Sequence, residues 1–399
     1  MSATSTQIRH PEVLVKNTGG AAVPVYNPHA MLTITHLITG LETGGAEGML
    51  SRLVTGTDRD RFRSVVVSMT EPGTVGQQIA AAGIPLRSLG MARGTPDPRG
   101  LLQLRRVLRE FRPDVLQTWL YHADLLGLAA WRLGWIGRLS WNVRSTETVG
   151  SVGVRRLLAR WSALPDAVVV NSREGQRFHQ GLGYHPCRWV YVPNGFDTAA
   201  LLPDPEAGRR QRAMLGIAED AVVILMPARY HPMKDHATFL AAAAQFAAMR
   251  PEIRFILVGG GVEPSNRPLA EAIAAYRLGD RVLLLGERRD LGALYTAADI
   301  VTLSSAFGEG FPNVLAEAMC CAIPCVATEI GDSAEIIGKT GIAVPPRDPV
   351  ALAAGWERLV ALTPQARRAL GAEARARIVE NYDLAAIIAR YEALYESLG

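Results

Sequence analysis

Four charged residues in the C-terminal half of the chain could hold a phosphate-bearing ligand. Arg229 and Lys234 follow a short apolar run, and Glu309 and Glu317 flank the start of a later helix. The planar fork of an arginine and the point charge of a lysine both suit a diphosphate. The two glutamates do not share one helical face, so they can contact opposite ends of an elongated ligand. The plain alternative for the cations is surface charge in a loop.

Glu309 belongs to a segment that runs Phe-Gly-Glu-Gly-Phe-Pro-Asn-Val from Phe307, and Glu317 follows three residues after its end. Gly308 and Gly310 bracket a tight turn, where a backbone can approach a ligand closely. Pro312 suits the first position of a helix, which we therefore predict to begin near Asn313. The free N–H groups at a helix start form an anion site. The alternative is an exposed glutamate pair around an ordinary helix cap.

Other loops that follow predicted strands offer weaker signals. Gly259, in a run of three glycines, permits close approach of a nucleotide but is as often a plain turn. Gly44 and Gly45, with Glu47, open a helix and allow the backbone to approach a sugar or phosphate. His122 could hydrogen-bond a sugar hydroxyl, and its alternative is a structural histidine. Two further loops end strands as turns, namely Asn171-Ser172 and Pro193-Asn194-Gly195-Phe196-Asp197.

The elements that must position these residues are short apolar strands that alternate with amphipathic helices. This alternation predicts parallel sheets covered on both faces. Asp235 is predicted to cap the helix after Lys234. The strands predicted in the first half are Leu32–Ile38, Val65–Met69, Ile84–Leu89, Val115–Trp119, Leu139–Val143, Ala167–Val170 and Trp189–Val192. Those predicted in the second half are Val222–Met226, Ile253–Val258, Val282–Leu285, Ile300–Ser304 and Cys325–Thr328.

We predict four segments from this order of elements. Residues 1–30 form a tail without periodicity, and residues 31–200 and 201–375 form two Rossmann-like α/β domains that face each other across a cleft. After about Asp348 we expect only helices. Residues 376–399 are expected to pack back on the first domain, since a helix without a following strand must bury its apolar face.

The bulk composition excludes some classes of protein. A net charge of +4 and a pI near 9.0 are too mild to indicate nucleic acid. The sequence shows neither a signal peptide nor about 18 consecutive apolar residues, so we expect a cytoplasmic protein, at most peripheral on the inner face of the plasma membrane. The four cysteines lack metal or redox spacing and are expected to be buried.

The region from Trp131 to Trp161 combines four tryptophans with six arginines. Aromatic and basic side chains together suit an anionic bilayer surface, which would fit a lipid-linked acceptor. The alternative is a solvated arginine face over buried tryptophans.

Together these motifs resemble the family 4 retaining glycosyltransferases, which have the GT-B fold. The resemblance covers roughly residues 32–398 and rests on Glu309-x7-Glu317, on Arg229 with Lys234, and on the loops at Gly44, Asn171 and Val192. Two departures are Ala228 where the family has glycine, and Asp235 where it also has glycine.

The resemblance implies roles for individual residues. Arg229 and Lys234 would neutralise the donor diphosphate, and Glu317 would accept from the ribose hydroxyls. Glu309 and His122 would meet the donor sugar from opposite domains. The remaining donor contacts would come from the backbone, and Gly45 would lie near the phosphate and acceptor; the backbone residues are Gly310, Phe311, Asn313 and Val314.

The expected reaction is hexosyl transfer from a UDP- or GDP-sugar to a hydroxyl of a glycan or lipid-linked acceptor, with retention at the anomeric carbon, in exopolysaccharide, capsule or lipopolysaccharide synthesis. No Asp-x-Asp element follows a predicted strand, so we expect no metal and no other cofactor. The alternatives are a nucleotide-sugar epimerase, a phosphorylase, or a binding protein without turnover. A dehydrogenase is disfavoured because G-x-G-x-x-G is missing. The oligomeric state stays open.

Overall fold

The computed structural model describes residues 31–92, 97–144, 146 and 152–399, and it contains two parallel sheets. The predicted tail, residues 1–30, lies outside the described residues. In the described chain the first sheet has the order β3-β2-β1-β4-β5-β6-β7. Its strands are β1 (Leu32–Ile38), β2 (Phe62–Ser68), β3 (Leu86–Ser88), β4 (Val115–Trp119), β5 (Arg138–Val143), β6 (Ala167–Val170) and β7 (Trp189–Tyr191).

The second sheet repeats this arrangement with the order β10-β9-β8-β11-β12-β13. Its strands are β8 (Val223–Pro227), β9 (Arg254–Val258), β10 (Val282–Leu284), β11 (Ile300–Leu303), β12 (Cys325–Thr328) and β13 (Ile342–Val344). The central strands of both sheets are rich in β-branched residues and leucine and are buried on both faces, as expected when helices cover each side.

Helices cover both faces of each sheet. Those of the first half are α1 (Gly45–Gly56), α2 (Thr74–Ala81), α3 (Pro98–Phe111), α4 (Tyr121–Arg132), α5 (Val152–Arg160) and α6 (Arg173–Gly181). Those of the second are α7 (Pro205–Met214), α8 (His236–Met249), α9 (Arg267–Ala275), α10 (Leu291–Ala297), α11 (Asn313–Cys320), α12 (Ser333–Ile337) and α13 (Pro349–Val360). The chain closes with α14 (Pro364–Tyr382) and α15 (Leu384–Leu398).

The last two helices serve different halves of the molecule. Helix α14 packs on α11, whereas α15 packs on α1 and β1. The chain crosses between them at Asp383. There the Phe196 N–H donates to the Tyr382 carbonyl, the Phe196 carbonyl accepts from the Leu384 N–H, and the Thr198 hydroxyl donates to the Asp383 carboxylate at 2.6 Å. The predicted return of a C-terminal helix to the first half is therefore confirmed, while the boundaries at residues 200 and 375 stay predictions.

Three local expectations differ from the structure. Strand β13 was not predicted, because Ile342–Val344 is only 3 residues long and its middle residue is alanine. Pro312 does not occupy the first helical position; it precedes α11 with extended backbone, as the N-cap. Cys187 is exposed, whereas Cys320, Cys321 and Cys325 are buried as expected.

Candidate functional site

The two halves contact each other through the loops at the carboxyl ends of their strands. The Thr146 hydroxyl, after β5, donates to the Gly308 carbonyl at 2.8 Å. Asn194 Nδ2, after β7, donates to Asn313 Oδ1 at 2.5 Å. Since ligands of parallel sheets bind at this edge, the cleft between the loops is the candidate site.

An ion pair lies among the loops at the carboxyl ends of the strands of the second half. Lys234 Nζ lies 2.5 Å from Glu309 Oε1, which also accepts from the Ser305 hydroxyl at 2.6 Å. Lys234 ends a 3-10 turn, and the following Asp235 takes a left-handed φ of 49° and caps α8 by accepting from Thr238 N at 3.1 Å. The predicted cap is therefore confirmed. Glu309 and Lys234 are largely buried, so each neutralises the other in this arrangement.

The start of α11 lies directly against the first half. Asn313 receives the hydrogen bond from Asn194, and a Cβ added to Gly45 would lie 3.3 Å from Asn313 Nδ2. A glycine at position 45 therefore lets the start of α1 approach the start of α11. Two helix N-termini thus meet in the cleft, where their free N–H groups favour an anion.

A buried polar network behind this meeting point was missed by the sequence analysis. Arg144 donates to Asn194 Oδ1 and, at 3.0 Å, to the hydroxyl of Tyr391 on α15. Asn142 Nδ2 donates to the same hydroxyl at 2.9 Å. Arg144 had been assigned only to the basic region, and nothing in the spacing of these residues links them. Their only local signal is that Asn142 and Asn194 are polar at the ends of apolar strands.

Glu317 faces a different set of groups from Glu309. Its Oε2 accepts from the Tyr295 hydroxyl on α10 at 2.7 Å. Burial raises the pKa of the Glu317 carboxyl, while the Tyr295 hydrogen bond and the nearby Arg52 guanidinium lower it in part. Arg52 lies on α1, so this carboxylate faces a cation of the first half. Sequence analysis placed Glu317 at the site but missed both partners.

Arg229 is exposed and lines a cavity of 860 Å³ between the two halves, together with Glu309. Gly259 has a φ of 148°, and a Cβ there would lie 2.5 Å from the Ala228 carbonyl oxygen. Glycine at position 259 is therefore required by the packing of the Arg229 loop, which is a structural reason separate from any contact with a nucleotide.

The other predicted site residues lie at the same edges without forming one cluster. His122 is exposed at the start of α4, and Gly44 is the N-cap of α1, covered by the Glu47 carboxylate. The ring of Phe311 is buried against Phe196 and Tyr382, so only its backbone could serve a ligand. Val314 is half-buried against the core, and Gly310 O accepts from Asp332 N at 2.9 Å.

Asp332, at the N-cap of α12, is a further residue that joins the halves. Its carboxylate accepts from the backbone N–H groups of Arg173 and Glu174, at 2.7 and 3.0 Å, and so caps α6 of the first half. Burial raises the pKa of this carboxyl, and the two backbone hydrogen bonds lower it in part. Sequence analysis could not find this contact, since the cap and its helix are far apart along the chain.

The tryptophan and arginine region divides into buried and exposed parts. Trp141 is buried, whereas Trp161 is 39% exposed. Arg155 is buried and lies 5.6 Å from the centre of the Tyr121 ring, so it does not face solvent. No helix in the described part of the chain is long and apolar enough to cross a bilayer, and no three His, Cys, Asp or Glu side chains converge there as metal ligands.

Two family models match the chain on either side of this cleft. Residues 43–200 match the model described as Glycosyltransferase Family 4, and residues 221–361 match Glycosyl transferases group 1. The chain belongs to glycosyltransferase family 4. Its fold is GT-B, and its expected activity as a glycosyltransferase is confirmed at the level of the family.

Relatives with more specific names are similar over most of this transferase. The D-inositol 3-phosphate glycosyltransferase of Geodermatophilus obscurus is 29% identical, over 70% of this chain and 68% of its own. That of Kineococcus radiotolerans is 30% identical, over 64% and 67%. The UDP-Gal:alpha-D-GlcNAc-diphosphoundecaprenol alpha-1,3-galactosyltransferase of Escherichia coli is 25% identical, over 59% and 62%.

Solved structures share the fold at lower sequence identity. Anabaena Alr3699/HepE in complex with UDP has a TM-score of 0.81 and 23% identity, over 92% of this chain and 100% of its own. The same protein has been solved with UDP-glucose.

Proposed function

We propose that this family 4 transferase moves a hexose, with retention at the anomeric carbon, from a UDP- or GDP-sugar to a hydroxyl of a glycan or lipid-linked acceptor in surface-polysaccharide synthesis. The observation that carries the proposal is the buried pair of Lys234 and Glu309 next to the start of α11. An entering diphosphate can take over Lys234, and this releases Glu309 to accept from the hydroxyls of the donor sugar.

In the proposed mechanism the leaving diphosphate is stabilised by charges of this chain. Lys234, Arg229 and the N-terminus of α11 oppose the negative charge that develops as the glycosidic bond breaks. Preorganised charge of this kind is worth several kcal/mol, roughly 3 for each group. Metal independence is therefore part of the proposal. The Asp58-Arg59-Asp60 element precedes β2, so it lies at the opposite edge of the sheet from the cleft.

Retention requires a reaction route that leaves the configuration of the anomeric carbon unchanged. The proposal has Glu309 accept from hydroxyls of the donor sugar while it keeps the hydrogen bond from Ser305, so Glu309 is not assigned the role of nucleophile. We therefore favour front-face attack, in which the leaving phosphate takes the proton of the acceptor hydroxyl. NMR of the product gives the anomeric configuration, and an inverted product would overturn this part of the proposal.

The donor is tested with a thermal-shift series of UDP-, GDP- and ADP-sugars. A cognate donor at a hundredfold excess over its Kd raises the free energy of unfolding by about 2.7 kcal/mol. The Arg229→Ala/Lys234→Ala variant is expected to lose this shift and the transfer reaction. If the double variant binds and consumes donors like the wild type, the proposed diphosphate site is wrong.

A peripheral position at an anionic inner membrane face is supported by one surface of α5. Val152 and Leu157 are 46% and 37% exposed, and the adjacent Trp161 is exposed on the same segment as Arg156 and Arg160. Apolar and basic groups on one helical surface suit a bilayer interface. Such a position would also bring a lipid-linked acceptor to the cytoplasmic enzyme.

The membrane proposal is tested by sedimentation with vesicles that contain anionic lipid. The variant Arg156→Ala/Arg160→Ala is expected to bind several-fold more weakly than the wild type. Arg209→Ala/Arg210→Ala, on exposed positions of α7, is the matched control. Equal sedimentation of all three proteins would remove the proposal without affecting the transferase assignment.

A further inference from the structure

The cavity of 860 Å³ beside Glu309 is lined by only part of the proposed donor site. Its described walls come from α6 and the segment after β5 in the first half, and from the loops after β8, β11 and β12 in the second. They include Arg229 and Glu309 but neither Glu317 nor Gly259. The cavity therefore adjoins the groups proposed for the diphosphate and the donor sugar, and its volume is in the range of small-molecule sites.

Two aromatic side chains line this cavity, one from each half. Phe307, in the loop before Glu309, is 42% exposed, and Phe178, on α6, is half-buried. Aromatic rings that line a cavity offer apolar surface that a ligand can cover, and burying that surface is favourable. The C–H face of a sugar ring is a suitable cover, because it is apolar while its hydroxyls point to the sides.

The charges of the cavity do not favour an anionic ligand. Glu174 holds Arg177 in an ion pair at 2.9 Å, and Glu309 and Glu329 contribute two further carboxylates. Arg229 is the other arginine among the described lining residues. Three carboxylates and two guanidinium groups leave no surplus of positive charge, as a second phosphate would need. Planar carboxylates and guanidinium groups can instead hydrogen-bond sugar hydroxyls.

We infer that this cavity is the acceptor subsite and that it takes a neutral sugar residue at the end of a glycan, stacked on Phe307. The inference rests on the proposed function and adds the class of acceptor to it. The inference distinguishes this chain from transferases whose acceptor is a phosphorylated polyol. Two of the relatives are named D-inositol 3-phosphate glycosyltransferases.

The experiment is saturation-transfer-difference NMR on the full chain with saturating UDP, which occupies the nucleotide part of the cleft. The probes are methyl glycosides of glucose, galactose and mannose, compared with D-inositol 3-phosphate. At least one neutral glycoside is expected to give a signal from its ring protons, and the phosphorylated polyol none. A signal from the inositol phosphate alone, or none from any probe, would overturn the inference.

Variants then locate the bound sugar. Phe307→Ala is expected to weaken glycoside binding about tenfold, with Phe307→Tyr restoring it, because the loss is one aromatic stacking surface. Tyr276→Ala is the control, since Tyr276 is 41% exposed outside the cavity. Calorimetric affinity for UDP should not change in any of these variants.

The outcomes separate this inference from the proposed function. If Phe307→Ala weakens UDP and glycoside equally, the ring serves the donor and the acceptor subsite is wrong. If it leaves glycoside binding unchanged, the sugar does not stack there and the inference is also wrong. A wild-type chain that binds none of the tested nucleotides would instead count against the proposed donor site.

Discussion

The two edges of the cleft hold their polar groups in different ways. On the second half, Lys234 and Glu309 come from loops after the adjacent strands β8 and β11 and contact each other directly. On the first half, Arg144 is held by Tyr391, which belongs to the last helix of the chain. The second half can therefore build its edge from its own loops, whereas the first half needs α15 to complete its edge.

This difference gives α15 a role beyond packing. The helix covers α1 and β1, and its tyrosine hydroxyl is linked through Arg144 and Asn194 to Asn313 at the start of α11. A substitution in the C-terminal helix can thus alter the hydrogen bonds at the proposed phosphate site. The effects of substitutions at the two edges should accordingly differ in magnitude and in whether they change activity, stability or both.

The largest effect is expected for Lys234→Ala. The substitution leaves the buried Glu309 carboxylate without its cation, which costs about 3 kcal/mol of unfolding free energy. Loss of a charge that stabilises the leaving group should also lower the transfer rate by roughly 10²–10³. Thermal unfolding and a transfer assay measure both effects, and Lys339→Ala, on an exposed turn, is the control.

The double variant Lys234→Ala/Glu309→Gln separates the two effects. It should recover much of the stability, because the unpaired carboxylate is gone, but none of the activity. Recovery of activity together with stability would mean that the pair is structural, and the second half would lose its proposed chemical role.

A smaller effect is expected for Asp332→Asn, which tests how the two edges are held together. The amide can accept only one of the two N–H bonds that now cap α6, so transfer should fall about tenfold relative to hydrolysis of the donor. Asp348→Asn is the control for a helix cap within one half, where both backbone N–H groups bind the single oxygen Oδ1. Equal effects of the two variants on the ratio of transfer to hydrolysis would contradict a positioning role for Asp332.

The comparison of Tyr391→Phe with Tyr395→Phe isolates the contribution of α15. Both rings are buried on the same helix, but the Tyr391 hydroxyl accepts two hydrogen bonds and the Tyr395 hydroxyl has no partner among the described residues. Tyr391→Phe should lower kcat several-fold and the unfolding free energy by about 1 kcal/mol. Tyr395→Phe should change neither. The same kcat for both variants would show that the first half's edge of the cleft does not need the Tyr391 hydroxyl of α15 for activity.

The smallest effect is a pH-dependent change in stability for Glu317→Gln. Burial raises the folded-state pKa of this carboxyl, so the folded protein binds a proton more tightly than the unfolded chain. The wild type therefore loses stability as the pH rises from the unfolded pKa through the folded one. The glutamine variant, which can still accept from Tyr295, should melt slightly higher at neutral pH and equally at acidic pH. A difference that persists unchanged at low pH would contradict this account.

Most of the second half could be predicted from the sequence. The apolar strands, the glycines around Glu309 and the cap at Asp235 are local signals, because each depends on neighbours within a few residues. The fold class follows from the alternation of strands and helices. The exceptions are strand β13 and the contacts that charged residues make with distant parts of the chain. Among these contacts, Lys234 and Glu309 pair with each other although each was expected to contact a ligand.

Little of the first half's polar network could be predicted. Asn142 and Arg144 lie at the end of β5, Asn194 follows β7, and Tyr391 belongs to a helix that is remote in sequence. The exposure of the basic region was also undecided, because helical periodicity does not say which arginine a neighbouring helix will cover. The structure buries Arg155 and exposes Arg156 and Arg160.

The sequence by itself determined the kinds of elements, their order and the charged residues available at the strand ends, because propensity, capping and apolar periodicity act over short stretches of chain. Only the tertiary structure decided which of those charges pair, which face solvent and which helix completes each edge. Hydrogen bonds such as those of Tyr391 and Asp332 form between residues that only the completed fold brings within 3 Å of each other.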